Sequence, residues 1–207
     1  MRSAIIVFLL GLAITSVAQE EIPVAGRVLV AQGDSSIILP DGQRVSANRR
    51  AGFSEGVILQ TGPDGAMQIR LADSSLFSLS CNSLLKIKEF DTQDNSIVRL
   101  KLIQGRIRAI TGTENPTSYH FETPLASLQF HLPGTDFEVL VEPGLSNIVG
   151  VYNGVLSIEN DPTHRRLGVS DGFKYAILRG NFSTAFLFEP PSKIQQSQKC
   201  TTSRGII

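Results

Sequence analysis

The three histidines of the chain, His120, His131 and His164, are the side chains that could act as an imidazole general base. Hydrolysis by a serine or cysteine nucleophile needs such a base within reach, together with a third group that orients it. His120 and His131 alternate with aromatic or aliphatic neighbours, which predicts that both lie on the solvent side of strands. His164 stands in a Pro-Thr-His-Arg-Arg stretch typical of a loop. We therefore expect three surface histidines and no catalytic base.

Other catalytic motifs are missing from the sequence. It contains no phosphate-binding loop or His-Glu-x-x-His zinc motif, and its acids lack the spacing of calcium loops. One stretch, Gly52–Gly56, matches Gly-x-Ser-x-Gly, but no helical pattern follows it, as a nucleophile elbow requires. Asp91 and Asp94 form a carboxylate pair near a turn, which we interpret as loop solvation. The sequence thus predicts a protein that is not an enzyme and that needs no cofactor or metal. Two carboxylates distant in sequence can still meet in a fold, so a hydrolase or carbohydrate-active protein is the alternative.

The segment Gly134-Thr135-Asp136 is the best candidate for a binding site. A tight turn here would expose Thr and Asp side chains that can form hydrogen bonds with a ligand. The competing interpretation is an ordinary turn, in which the same side chains satisfy nearby backbone N–H groups. We favour the ordinary turn and keep these three residues as the tentative binding set.

The chain has two cysteines, Cys81 and Cys200, which allow at most one intramolecular disulfide in an oxidising compartment. Cys81 lies in a strand-rich region and Cys200 in a polar tail, so their pairing requires the tail to dock. We favour a buried or free Cys81 and an unpaired tail thiol slightly over a bridge.

Period-two alternation of apolar and polar residues dominates the sequence, which is typical of half-buried strands. The clearest segments are Met67–Leu71, Val98–Leu102, Leu128–Leu132 and Phe137–Val141. After the first eighteen residues, no window of helical length keeps a 3.6-residue apolar stripe. We therefore predict an all-β protein, one domain of short strands in a roll or solenoid-like stack, with a β-sandwich as the fallback.

Dipeptides that tolerate the positive φ angles of tight turns separate these strands. They are Asp41-Gly42, Asp64-Gly65, Asn153-Gly154 and Asp171-Gly172. The clearest predicted hairpin runs from Val149 to Ile158 and folds at Asn153-Gly154.

The chain begins with the pattern of an export signal. Arg2 gives a positive start, Ala4 to Ile14 form an apolar run shorter than a membrane span, and Ser16-Val17-Ala18 resembles a cleavage site. We predict a signal peptide at residues 1–18, the β-domain at 19–188 and a flexible tail at 189–207. No later segment is predicted to span a membrane, so we expect the product in the periplasm or at the cell surface.

The charge balance argues against a polyanionic partner. Without Arg2, the 19 basic residues fall to 18, against 19 acidic residues. The pairs Arg49-Arg50, Arg106/Arg108 and Arg165-Arg166 are dispersed, and we interpret them as solvated positions. Nucleic-acid binding usually requires a basic face with aromatic platforms, so no nucleic-acid partner is predicted.

Several short motifs occur in an order that resembles the FecR domain, the periplasmic β-module of iron-responsive signalling regulators. The matching pieces are Val24–Val28, Gly52–Gly65, Met67–Ser74, Leu100–Arg108, Phe121–Ala126 and Gly134–Val139. Two positions depart from the family pattern: Pro133 replaces an Arg that often precedes the Gly-Thr pair, and Ser74 replaces a Gly that often follows the matched Asp. The family's sensors also carry a cytoplasmic sigma-factor-binding region and a transmembrane helix before this module. We find neither in the sequence and expect a stand-alone exported form.

The resemblance implies an all-β fold and a binding role. We therefore expect a non-enzymatic binding or sensing module of the bacterial envelope, with a protein partner or small ligand and a place in signal transduction. In this interpretation an exposed strand edge accepts a strand of the partner. The alternatives are the hydrolase described above and a structural envelope component.

Overall fold

The structure is a computed structural model. It describes residues 24–91, 97–112, 118–130, 133–144, 146–160, 165–170, 172–178, 181–182 and 186–187. The predicted signal peptide, His131, His164, Cys200 and the tail lie outside these described residues.

The described residues form eighteen β-strands and no helix, which confirms the all-β prediction. The strands are β1 Val24–Gln32, β2 Ser35–Ile38, β3 Arg44–Ser46, β4 Gly52–Ser54, β5 Ile58–Thr61, β6 Ala66–Leu71, β7 Leu76–Leu79, β8 Leu84–Asp91, β9 Ile97–Ile110, β10 Ser118–Glu122, β11 Ala126–Phe130, β12 Asp136–Glu142, β13 Ser146–Asn153, β14 Val155–Asn160, β15 Arg165–Ser170, β16 Phe173–Leu178, β17 Asn181–Phe182 and β18 Phe186–Leu187.

The strands pair into two layers that face each other. Layer 1 has the order β4-β1-β6-β7-β9-β12-β13-β16, with β17 and β18 beyond β16. Layer 2 has the order β3-β2-β5-β8-β9-β10-β11-β14-β15. All these pairs are antiparallel except β9 with β10, which is parallel.

Strand β9 belongs to both layers and bends at Gly105. Its first part pairs with β8 and β10 in layer 2, and its second part pairs with β7 and β12 in layer 1. Gly105 has a φ of +90°, and a Cβ there would lie 2.4 Å from the Cα of Ser83. Only glycine fits this bend, so a single residue allows one strand to serve two layers.

The chain alternates between hairpins within a layer and crossings from one layer to the other. The predicted hairpin from Val149 to Ile158 is wrong for this reason: β13 pairs with β12 and β16 in layer 1, whereas β14 pairs with β11 and β15 in layer 2. Gly154 has a φ of +96°, as a tight turn requires. The Asn-Gly signal predicted the bend correctly, but it does not determine whether the flanking strands pair with each other.

The inward-facing apolar side chains of both layers form one continuous core. Phe137 of layer 1 packs edge-on against two rings of layer 2, with ring centroids 4.8 Å from Phe130 and 5.9 Å from Phe121. All three rings are fully buried. Truncating such a ring to Ala typically costs about 3–5 kcal/mol, so this aromatic cluster is a main link between the layers.

A buried polar cluster also joins the layers. Asp73 and Ser75, in the turn between β6 and β7, both form hydrogen bonds with the hydroxyl of Tyr119 on β10. The Asp73 carboxylate also accepts hydrogen bonds from the Ser75 amide at 3.1 Å and the Ser75 hydroxyl at 3.0 Å. Burial raises the pKa of the Asp73 carboxyl, against the lowering effect of the bonds from Ser75.

Candidate functional site

Strand β1 lies near one edge of layer 1 and is only partly covered on its outer side. Strand β6 pairs with it over Gly26–Gln32, but β4 covers only Val24–Arg27. Next to β4, Val28 exchanges two backbone hydrogen bonds with the loop, one with Arg50 at 2.8 Å and one with Ala51 at 2.9 Å. Among the described residues, no strand pairs with residues 29–32 on this side. We call this stretch the open edge.

Two local features of the backbone produce the open edge. The register of β1 against β6 shifts between Val28 and Val30, so Leu29 lies in a β-bulge, and bulges bend a strand and increase its twist. The loop after β3 turns back at Arg50, whose φ is +70°. A non-glycine residue in this conformation costs on the order of 1 kcal/mol or more, so the surrounding contacts must stabilise it.

An open groove of about 750 Å³ runs along the open edge. Its wall is formed by residues 28–31, and Arg27, Arg49 and Arg50 complete its lining. Val30 is 44% exposed and presents an apolar side chain to the groove. The groove therefore combines an apolar wall, an uncovered stretch of backbone and a cationic border.

The cationic border of the groove, which we call the arginine rim, consists of Arg27, Arg49, Arg50 and Arg70. Arg70 joins the three groove residues because it lies directly opposite Arg27 in the β1–β6 pairing. All four residues are exposed, and none of them makes a side-chain hydrogen bond or ion pair with another described residue. Like charges directly opposite each other on neighbouring strands are destabilising, so the rim is an unfavourable arrangement for the free protein.

A second pair of arginines in layer 1, Arg106 and Arg108, is bound by acidic side chains. Arg108 binds both carboxylate oxygens of Asp136, at 2.9 Å from Nε and 2.7 Å from Nη2. Arg106 lies 2.8 Å from Oε2 of Glu138, which also accepts a bond from the Tyr152 hydroxyl at 3.1 Å. These residues occupy the outer face of β9, β12 and β13 and compensate one another. Among the described side chains of layer 1, the arginines without an acidic partner thus lie at the β1 end.

Two pKa values reflect this compensated network. The bond to Asp136 raises the pKa of the Arg108 guanidinium. Burial raises the pKa of the Tyr152 hydroxyl, and the neighbouring Glu138 carboxylate adds to the effect. The Arg108 guanidinium carbon also lies 4.2 Å from the centre of the Tyr152 ring, a cation–π contact. The Tyr152 hydroxyl is therefore neutral and lies between the Glu138 carboxylate and the Arg108 guanidinium, where its role is structural.

The tentative binding set lies at the crossing from β11 to β12. Thr135 is fully buried, and its backbone exchanges two hydrogen bonds with Thr111, at 2.9 Å to the Thr111 hydroxyl and 3.0 Å from the Thr111 amide. Gly134 has a φ of +72° and accepts a bond from the Asn153 side chain at 3.0 Å. Asp136 is bound to Arg108. The exposure expected for Thr135 is not found, because the crossing turns its side chain towards Gly154 rather than towards solvent.

The structure also describes one of the three histidines and one of the two cysteines. His120 lies on the outer face of layer 2, opposite the exposed residues Arg99 and Gln129, as the alternation predicted. Cys81 is disulfide-bonded, so the expectation of a free Cys81 thiol is not met. Cys200, the only other cysteine of the sequence, lies outside the described residues.

The arginine rim was not predicted from the sequence. Arg49-Arg50 was interpreted as a dispersed solvated pair, and neither Arg27 nor Arg70 was singled out. No local pattern relates these positions, because the β1–β6 register and the turn at Arg50 bring them together. The available signal was the Val24–Val28 motif itself, which places an arginine within an otherwise apolar strand.

Two further absences apply to the described ranges. No group of three or more His, Cys, Asp or Glu side chains in that part of the chain could hold a metal ion. The same part contains no helix with the length and apolar character needed to cross a bilayer.

The family comparison agrees with the motif order. A family model described as FecR protein matches residues 57–157, which is 101 of the 207 residues. The match runs from just before β5 into β14, so it covers the shared strand β9 and most of both layers. The resemblance to the FecR domain predicted from the motifs is confirmed over this segment by the match. A search of curated proteins gives no match.

Solved structures with a similar fold come from Parabacteroides distasonis ATCC 8503. Two crystal structures of a proposed anti-sigma factor each superpose with a TM-score of 0.54, at 12% and 11% sequence identity. Each alignment covers 63% of this chain and 59% of the other, so less than two thirds of that protein is matched. At this level of identity the similarity concerns the fold alone.

Proposed function

We propose that this protein is an exported, non-enzymatic recognition module of the bacterial envelope that acts as a regulator in signal transduction. The FecR match and the similarity in fold to a proposed anti-sigma factor support the regulatory role. Export rests on the predicted signal peptide at residues 1–18. The partner is an envelope protein that the module captures through a strand edge.

The open edge of β1 is the observation that carries this proposal. Edge strands present unpaired backbone groups, and proteins usually protect them with charges, prolines or covering segments. Here residues 29–32 are uncovered within the described structure, beside a groove with an apolar wall. An extended segment of a partner can add to such an edge through main-chain hydrogen bonds and place alternate side chains in the groove.

Nothing in the groove favours the hydrolase alternative. The residues that line it are three arginines and four apolar residues, with no carboxylate among them. Asp136 and Glu138, two acids on one face of β12, are both bound to arginines. This arrangement provides no general acid–base pair at the groove.

Cross-linking with envelope extract tests the proposal. Val30→Lys places a charge on the open edge, whereas Val155→Lys changes a similarly exposed valine, 49% against 44%, on a strand with partners on both sides. Val45→Lys changes the edge strand β3 of layer 2, a competing docking edge. Circular dichroism and thermal unfolding establish that each variant is folded.

The expected result is one or a few envelope proteins that wild type and Val155→Lys enrich equally and that Val30→Lys fails to enrich. Enrichment that Val30→Lys leaves unchanged would contradict docking at β1. If only Val45→Lys abolished the enrichment, the docking site would be β3 rather than β1.

A further inference from the structure

We infer that the segment bound at the open edge is an acidic one: an extended peptide of a protein partner whose carboxylates bind the arginine rim while its backbone pairs with residues 29–32. This inference rests on the proposed function and specifies the chemistry of its partner. It concerns residues that lie mostly before the FecR match, since only Arg70 of the rim falls within residues 57–157.

The charge of the rim is the first argument. Four exposed arginines lack any side-chain partner among the described residues, and Arg27 and Arg70 lie directly opposite each other. Carboxylates are the natural counter-ions, because a guanidinium binds both oxygens of a carboxylate in one plane. An acidic segment would therefore relieve the cross-strand repulsion that the free protein tolerates.

The shape of the site is the second argument. An extended strand alternates its side chains between two faces. Along the open edge the inner face of an added strand would meet Ala31, which packs against the core, and the outer face would meet Arg27 and Arg70, which lie on the same face as Val30. Acidic residues alternating with apolar ones thus match the groove better than a uniformly acidic chain does.

The small extent of the positively charged patch favours a protein segment over a nucleic acid as the bound partner. Nucleic-acid binding uses a basic face long enough to contact many phosphates. Here the next arginines along layer 1, Arg106 and Arg108, are already bound by Glu138 and Asp136. The chain as a whole carries no net charge. Among the described side chains of layer 1, the arginines without a partner therefore lie at one strand edge.

Fluorescence anisotropy with synthetic peptides tests the inference on the full exported chain. The probe is a capped peptide of about nine residues that alternates Glu and Val, a length typical of a strand. A matched peptide carries Gln in place of Glu, and a single-stranded oligonucleotide tests the nucleic-acid alternative. Arg27→Gln combined with Arg49→Gln removes half of the rim, and the control Arg99→Gln removes an exposed arginine of layer 2 that is paired with Glu89.

We expect the Glu peptide to bind roughly tenfold or more tightly than the Gln peptide, as two or more charged contacts would give. The double variant should lose most of that difference, while Arg99→Gln should keep it. Equal binding of the two peptides, or an unchanged preference in the double variant, would overturn the acidic partner. Tighter binding of the oligonucleotide than of the Glu peptide would also overturn it.

The same experiment separates the two proposals. Binding of both peptides with equal affinity, lost in Val30→Lys, would leave strand addition intact and remove only the acidic preference. Failure of both peptides to bind would count against strand addition at this edge and against the inference together.

Discussion

Arg27 lies directly opposite Arg70 in the antiparallel pairing of β1 with β6, and neither guanidinium has an acidic partner among the described residues. A position optimised for stability alone would carry opposite charges here, because cross-strand ion pairs stabilise and like pairs destabilise. The arrangement is therefore a local cost in the free protein, and it is the kind of cost that functional sites show.

The first prediction reverses the charge at this pair. Arg27→Glu should raise the free energy of unfolding by about 0.5–1 kcal/mol, because it replaces a repulsive pair with an attractive one. Arg27→Gln should give a smaller increase. Urea unfolding at low salt measures both, and the gain should shrink at high salt. A destabilised Arg27→Glu protein would show that Arg27 has a stabilising partner.

The second prediction concerns Ser74, where the family often has glycine. Ser74 has a φ of +69°, in the left-handed region that glycine occupies without steric cost. Ser74→Gly should therefore stabilise the protein by about 0.5–1 kcal/mol, the relief of strain being partly offset by the entropy of glycine. Asn82→Gly at a φ of +51° is the matched control. Asparagine tolerates this conformation, so the control should gain less; the reverse order would contradict the argument.

The third prediction concerns pH and the buried Asp73. Because burial raises the pKa of its carboxyl, folding favours the protonated form. Its stabilising contribution is fully present below the ordinary value of 3.8 and is lost as the pH rises through the raised pKa. Compared with wild type, Asp73→Asn should therefore become relatively more stable as the pH increases from 3.5 to 7.

Urea unfolding at a series of pH values measures this difference. A stability difference that stays constant with pH would mean that Asp73 titrates alike in the folded and unfolded chain. Tyr119→Phe removes one of the hydrogen bonds to the carboxylate and leaves the carboxyl buried. The pH dependence should therefore persist in that variant.

The fourth prediction concerns the disulfide. Cys81 is disulfide-bonded, and Cys200 is the only other cysteine of the sequence, so we expect these two to pair in an oxidising compartment. The bridge would close a loop of about 120 residues and would stabilise the protein by up to about 4–5 kcal/mol. Peptide mapping without reduction should recover the two cysteines in one linked fragment. Recovery of two free thiols from protein exported under oxidising conditions would contradict the pairing.

Much of the fold could be predicted from the sequence because the alternation of side chains is local. The period-two segments lie in strands over their described residues, and Asp41-Gly42, Asp64-Gly65 and Asn153-Gly154 lie at strand ends or between strands. Which strands pair could not be predicted in the same way. Asn153-Gly154 connects two layers rather than two paired strands, because the partners of β13 and β14 lie elsewhere in the chain.

The candidate site shows the same limit. Gly134-Thr135-Asp136 attracted attention as a turn of polar residues, yet Thr135 is buried and Asp136 is bound to Arg108. The arginine rim depends on a register and on one residue with positive φ, and neither can be read from residue types. Contiguous motifs in this protein indicate structure, whereas its candidate site combines residues from three separate segments.

Hydrogen–deuterium exchange tests the central claim most directly. The amides of residues 29–32 that point away from β6 should exchange more slowly when the Glu-Val peptide is bound, because carbonyl groups of the added strand accept their hydrogen bonds. Strand β3, the edge of layer 2, should exchange at the same rate with and without the peptide. Protection of residues 29–32 alone is the expected result; unchanged exchange there with the peptide bound, or protection at β3, would contradict it.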